Sequence, residues 1–272
     1  DSIDMVFYIT AHEVAHQWWG HQLIPARIPG GRMITESLAQ YTALMVMEKD
    51  LGSSRVGKFL RYELMNYLRG RGAGRDEELP LVSEEGQAYV FYRKGSLAFY
   101  ALRDYLGEDL VNDALREFLQ GHRDQGPPYA TAAELLVHLR ERTPEMYAHL
   151  IEDLFETITL YDNRTESVTC ERTPDGRYRV VLDYASHKYR ADGQGAQEEI
   201  HHRDWIELGV FGVDADGAEI ELYREKRRLE SGRGRLDLVV DQEPRRAGID
   251  PRNLLIDRVA GDNVKTVTME GS

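Results

Sequence analysis

Apolar positions recur at helical spacing through the first half of the chain and alternate with polar ones in the last third, so helices followed by strands are predicted. From Asp4 to Gly20, the residues Val6, Phe7, Ile9, Val14, Trp18 and Trp19 predict a buried helix that Gly20 stops. Pro25, Pro29, Gly30 and Gly31 then make residues 20–33 a loop. Thr35 to Asp50 is predicted as a second helix, with Thr35 as N-cap and Leu38, Ala39, Thr42, Met45 and Val46 as its buried stripe. A third helix runs from Ser53 to Gly70 and dissolves into a mobile surface loop at GRGAGRDEELP. The aromatic-rich residues 87–106 are mostly core by their type. Helices are predicted over Gly107–His122 and Thr131–Arg142, and a further one opens with Thr143 as N-cap and Pro144 at its first position. Alternating segments at 166–171, 177–185, 204–213, 218–224, 235–241 and 254–259 predict a small antiparallel β-sandwich. Between them, residues 186–203 form a polar loop or hairpin in which His201 and His202 are expected to be solvated. The fold class is therefore α+β, with a helical portion over residues 1–160 and a β-sandwich over 161–272.

The polar residues interrupting the first helix carry chemistry. His12 and His16 are four apart, so their imidazoles share one helix face and can grip a single metal ion. Glu13, one step round, is poorly aimed to join them but can take a proton from a water held at an open zinc position. This HExxH pattern is the metalloprotease signature, weighed against an amphipathic helix whose histidines are merely surface or core residues. Glu36, in the first turn of the second helix, is the candidate third ligand, although a carboxylate there also complements a helix N-terminus. His21, just past the first helix, fits a capping or surface role.

Composition narrows the partners. With 47 acidic and 34 basic residues, the net charge of −13 argues against nonspecific nucleic-acid binding. Cys170 is the single cysteine, so no intramolecular disulfide is available. No run reaches the roughly eighteen apolar residues of a membrane span, and the chain reads as soluble as written. Because it starts at Asp1, with the candidate site almost at once, it is expected to be a fragment of a longer protein.

HEVAHQWWG and TESLAQY together resemble the aminopeptidase N family of zinc metallopeptidases, gluzincins whose HExxH is followed by a glutamate ligand on the next helix. The gap of nineteen residues between His16 and Glu36 is one longer than in the family, and Ser37 stands where the family has glycine. The resemblance implies a zincin-like helical catalytic portion and a Zn²⁺ cofactor held by His12, His16 and Glu36. It also implies Glu13 as general base. Tyr92-Arg93-Lys94-Gly95 matches the family's YxKG element, which makes Tyr92 the residue that stabilises the oxyanion; Lys94 supports the site or merely lies at the surface. The expected activity is hydrolysis of peptide substrates, by aminopeptidase action in the intact parent. The strand that reads the substrate's amino group precedes the zinc helix in this family and is not within the sequence. The stretch also resembles the peptidase portion of bacterial fusions with transporter-type membrane segments, so the parent is expected to carry such segments upstream, at the bacterial cell membrane. A noncatalytic scaffold and a zinc endopeptidase are the alternatives.

Overall fold

The computed structural model describes residues 4–74 and 76–270. The chain forms two compact units, one holding the chain through Thr159 together with Ala191–Ala196, the other holding Leu160–Arg190 and the chain from Gln197 onward. The fold is α+β, a helical part followed by two sheets rich in antiparallel pairs.

In the helical unit, α1 spans Met5–Ala15 and starts where the Asp4 carboxylate accepts from the Phe7 amide at 2.9 Å. Its burial differs from the prediction. Tyr8, His12 and Ala15 face inward, whereas Val6, Ile9, Val14 and Trp18 are exposed, Val6 by 78%. The inward stripe follows the i, i+4 row that carries the histidines, so the apolar residues beside them are left on the other face. Met33–Ser37 forms a π-helical turn that leads into α2, Leu38–Leu51. Thr35 therefore lies inside helical structure and is no N-cap. The buried stripe of α2 is Leu38, Ala39, Tyr41, Ala43, Leu44 and Met47, with Val46 exposed, because the π turn rotates the helix relative to a uniform 3.6-residue count.

α3, Ser53–Ala73, continues through the glycines expected to end it. Gly70 is where the helix meets Tyr89, since a Cβ there would lie 2.6 Å from Tyr89 Cβ. Beyond it, Tyr67 and Arg71 both donate to the buried Glu78 carboxylate, which fixes the strand of chain that composition assigns to a loop. Arg75 of that stretch lies outside the described residues. A second π-helical turn, Tyr89–Lys94, feeds α4, Gly95–Leu106, followed by α5, Glu108–His122, and α6, Ala132–Arg142. Thr131 and Glu134 cap α6 reciprocally. The helix expected from Thr143 is replaced by short turns at Glu145–Tyr147, His149–Ile151 and Glu152–Glu156. The Thr143 hydroxyl donates to Leu139 O at 2.7 Å, closing α6 instead of opening a new helix.

The second unit contains β1 (Ile158–Arg172), β2 (Tyr178–Ala191), β3 (Gln197–Ile200), β4 (Arg203–Val213), β5 (Glu219–Glu230), β6 (Gly232–Val240), β7 (Arg246–Ile249), β8 (Val264–Thr266) and β9 (Thr268–Met269). One sheet has the order β3-β2-β1-β9 with β6 on β2, the other β5-β4-β7-β8. The sheets are not purely antiparallel, because the terminal β9 runs parallel to β1. Residues 254–259 are not a strand. Asp250 accepts from the amides of Leu254 and Leu255, and Asp257 from those of Asn163 and Val259, so carboxylates take the amides a ladder would have used. His202 is buried against Ser186, at 3.2 Å, contrary to its expected solvation. On β5 and β6, Arg224 is paired with Glu221, Arg227 with Glu225 and Arg235 with Asp183.

Candidate metal centre

His12 lies on α1, His16 caps its C-terminal end, and Glu36 comes from the π turn before α2. Two ties outside the site hold these segments together. Tyr8, one turn before His12, donates its hydroxyl to Gln40, one turn after Glu36. Trp19 Nε1 donates to Thr42 Oγ1 at 3.0 Å. Spacing by four on both helices thus repeats the His12–Glu36 approach one turn further out.

His12 Nε2, His16 Nε2 and Glu36 Oε2 form a triangle with sides of 3.1, 3.4 and 3.6 Å. His16 Nδ1 is 3.0 Å from Trp19 O, an acceptor only, so that nitrogen carries the ring proton and Nε2 presents a lone pair to the centre. Atoms this close must share either a proton, carried on His12 Nε2, or a cation lying among them. Donors about 2.0–2.1 Å from a tetrahedral ion stand about 3.3 Å apart, which the triangle matches. The nitrogen and carboxylate donor set suits zinc, so the residues present fit the metal. His12 Nδ1 is buried without a hydrogen-bond partner among the described residues.

Tyr92 stands beside this triangle, its ring centroid 6.0 Å from that of His12, and its hydroxyl is hydrogen-bonded to Glu36. Burial, the Glu36 charge and that bond push the phenol up to about 12, with the Glu13 charge adding to them, so the hydroxyl stays protonated at neutral pH. For Glu36, burial favours the neutral acid, but hydrogen bonds with His12 and Tyr92, with both imidazoles close by, outweigh it and hold the carboxyl below its ordinary value. Glu13 is exposed to solvent next to the triangle, and His21 is exposed as well.

Several supporting residues carry no signal at motif level. Ser37, fully buried, donates to Phe91 O at 2.6 Å and so ties the residue after Glu36 to the residue before Tyr92. Gly95 leaves room for it, since a Cβ there would stand 2.6 Å from Ser37 Cβ and nearer still to Oγ. Ser37 in place of glycine is thereby accommodated, and both π turns meet at this bond. Arg93, next to Tyr92, reaches the buried Glu63 on α3 at 2.7 Å. Lys94 is buried too, donating to Thr157 O at 2.9 Å, and is not a surface residue. Among these, the Tyr8 and Gln40 tie was detectable from helical spacing; Glu63 lies thirty residues from its partner and gave none.

No helix among the described residues is long and apolar enough to cross a membrane. The chain is similar in structure to Legionella pneumophila aminopeptidase A, solved in complex with aspartic acid, with a TM-score of 0.53 and 16% identity. That match covers 97% of this chain but 27% of the Legionella chain, so this chain spans about a quarter of that protein's length. No curated protein matches the chain. The resemblance carried by HEVAHQWWG and TESLAQY is borne out at family level: residues 1–157, more than half of the chain, match the Peptidase family M1 domain, and the chain belongs to that family of peptidases.

Proposed function

We propose that this chain carries the zinc centre of a metallopeptidase that hydrolyses peptide bonds, acting as an aminopeptidase in its intact parent. The observation that supports this reading most directly is the triangle of His12 Nε2, His16 Nε2 and Glu36 Oε2, whose sides suit one tetrahedral ion. Zinc, when bound, would supply a Lewis acid that polarises a carbonyl and makes water acidic.

The chain's own residues would handle the protons and the developing charge. Glu13 would accept a proton from the attacking water as its oxygen bonds to the peptide carbonyl carbon. It would then return that proton to the nitrogen as the carbon–nitrogen bond breaks, leaving one carboxylic acid and one amine. Tyr92 would turn its hydroxyl from Glu36 to the carbonyl oxygen as that oxygen gains negative charge. Such a donor is most useful when the charge exists only in the transition state. Its raised pKa keeps the donating proton in place.

Metal stoichiometry on the purified chain, beside Glu36→Ala, tests the reading. One zinc per chain, weakened at least tenfold in the variant, is expected for three ligands. No zinc under excess metal would reject it in favour of a scaffold. Hydrolysis of free against N-blocked peptides by a longer form separates aminopeptidase from endopeptidase action, since equal rates would count against the former.

A further inference from the structure

Beside the candidate centre, the loop from Ile24 to Arg32 and the turn at residues 84–86 enclose an open groove of about 580 Å³. One wall is apolar, formed by Ile24, Pro25, Ile28 and Pro29, and Thr35 brings its end next to Glu36. The groove is held open by backbone bonds. Gly30 N donates to Glu84 O at 2.9 Å, and Ala26 N donates to Ala130 O at 2.7 Å. At Gly30 the φ of +80° and the approach of Val82, 2.8 Å from a Cβ built there to the carbonyl carbon, admit only glycine.

Both signs of charge line the groove, Arg27 and Arg32 with Glu84 and Glu85. Neither arginine has an ion-pair partner among the described residues. The buried Glu84 carboxylate accepts from Gly86 N at 2.7 Å and also feels the Arg32 charge, so it offsets part of that cation from below while leaving the outer face of the guanidinium to solvent. Glu85 is exposed at the rim. The Arg32 guanidinium stacks 5.0 Å from the Phe91 ring, and Phe91 packs 4.5 Å from Tyr92, ring centroid to centroid. A ligand carboxylate on Arg32 would therefore lie one side chain away from the Tyr92 hydroxyl.

We propose that this groove is a substrate subsite in which Arg32, assisted by Arg27, binds a carboxylate of the peptide while the apolar wall covers the aliphatic stem that bears it. This deepens the peptidase reading and rests on it for the identity of the ligand as a peptide. The carboxylate is that of an acidic side chain or of the peptide's C-terminus. A planar guanidinium stacked on an aromatic face is preorganised to receive two carboxylate oxygens, whereas a lysine would offer only a point charge.

The test uses the metal-free chain, so that no peptide is cleaved, and three probes: Leu-Ala-Gln-Ala amide, Leu-Ala-Glu-Ala amide, and Leu-Ala-Gln-Ala with a free C-terminus. Binding is followed by NMR chemical-shift titration at low ionic strength. At least one of the two carboxylate-bearing probes should bind roughly fivefold tighter than the neutral one, the size of a good exposed ion pair. Which one does so identifies the source of the carboxylate. Arg32→Gln should abolish the preference, Arg27→Gln should reduce it, and Arg32→Lys should restore only part. Equal binding of all three probes, or a preference that survives Arg32→Gln combined with Arg27→Gln, overturns the subsite. Metal stoichiometry does not enter this result, so failure of the zinc reading and failure of the subsite are separately visible.

Discussion

The bond between Ser37 and Phe91 joins the turn that carries Glu36 to the turn that carries Tyr92, and a size swap across it gives a quantitative test. Gly95→Ala would place a Cβ 2.6 Å from Ser37 Cβ, with both residues buried in helical backbone. Overpacking of that kind costs about 3 kcal/mol, offset by about 1 kcal/mol from the better helix propensity of alanine, for a net loss of about 2 kcal/mol. Ser37→Gly removes the hydroxyl that donates to Phe91 O at a cost of about 1 kcal/mol, and adds about 1 kcal/mol for glycine in helical structure. In the double variant the added methyl faces only Ser37 Cα, which stands at 3.4 Å and can give by a few tenths of an ångström. The clash then disappears, and the loss should be about 1 kcal/mol instead of the additive 4 kcal/mol or so. Urea unfolding of the four proteins measures this directly. Zinc affinity should follow the same order, because the clash drives the Glu36 turn away from the Tyr92 turn. A double variant as unstable as the sum of the singles would refute the account.

Other expectations follow from particular contacts. Burial outweighs the nearby Arg93 and pushes the Glu63 carboxyl from 4.5 up to about 7. Between these values the folded chain keeps a proton that the unfolded chain has released, so this group removes stability as pH rises through the interval, by about 3 kcal/mol in all, with no further change above it. Glu63→Gln should flatten that part of the stability–pH curve, and an unchanged slope would refute the assignment. Tyr92→Phe should lower kcat of an active longer form roughly 10²-fold with KM little changed; an equal rise in KM alone would mean ground-state binding instead. Thr131→Ala, which removes the hydroxyl side of the α6 capping box, should cost about 1 kcal/mol in urea unfolding without altering zinc binding.

What the sequence by itself determined is the part of the site that local spacing encodes. His12 and His16 at i and i+4 were legible because an α-helix brings residues four apart onto one face whatever surrounds it; Glu36 was read from its place in the first turn of the next helix, and Tyr92 only from the resemblance of its motif. The same periodicity separated helical from β-structured chain, and Thr131 read correctly as the end of a helix. Tertiary structure decided which face of α1 is buried, because hydrophobicity at Val6, Ile9 and Val14 does not say whether anything packs there. It also decided that glycine-rich chain after Leu68 stays helical, through Tyr89 and Glu78, and that residues 254–259 turn on buried carboxylates. The π turns around Glu36 and Tyr92 escape a count of 3.6 residues per turn. Ser37, Gly95 and Glu63 matter only through partners far away in sequence, and such pairings arise from packing, which no local pattern records.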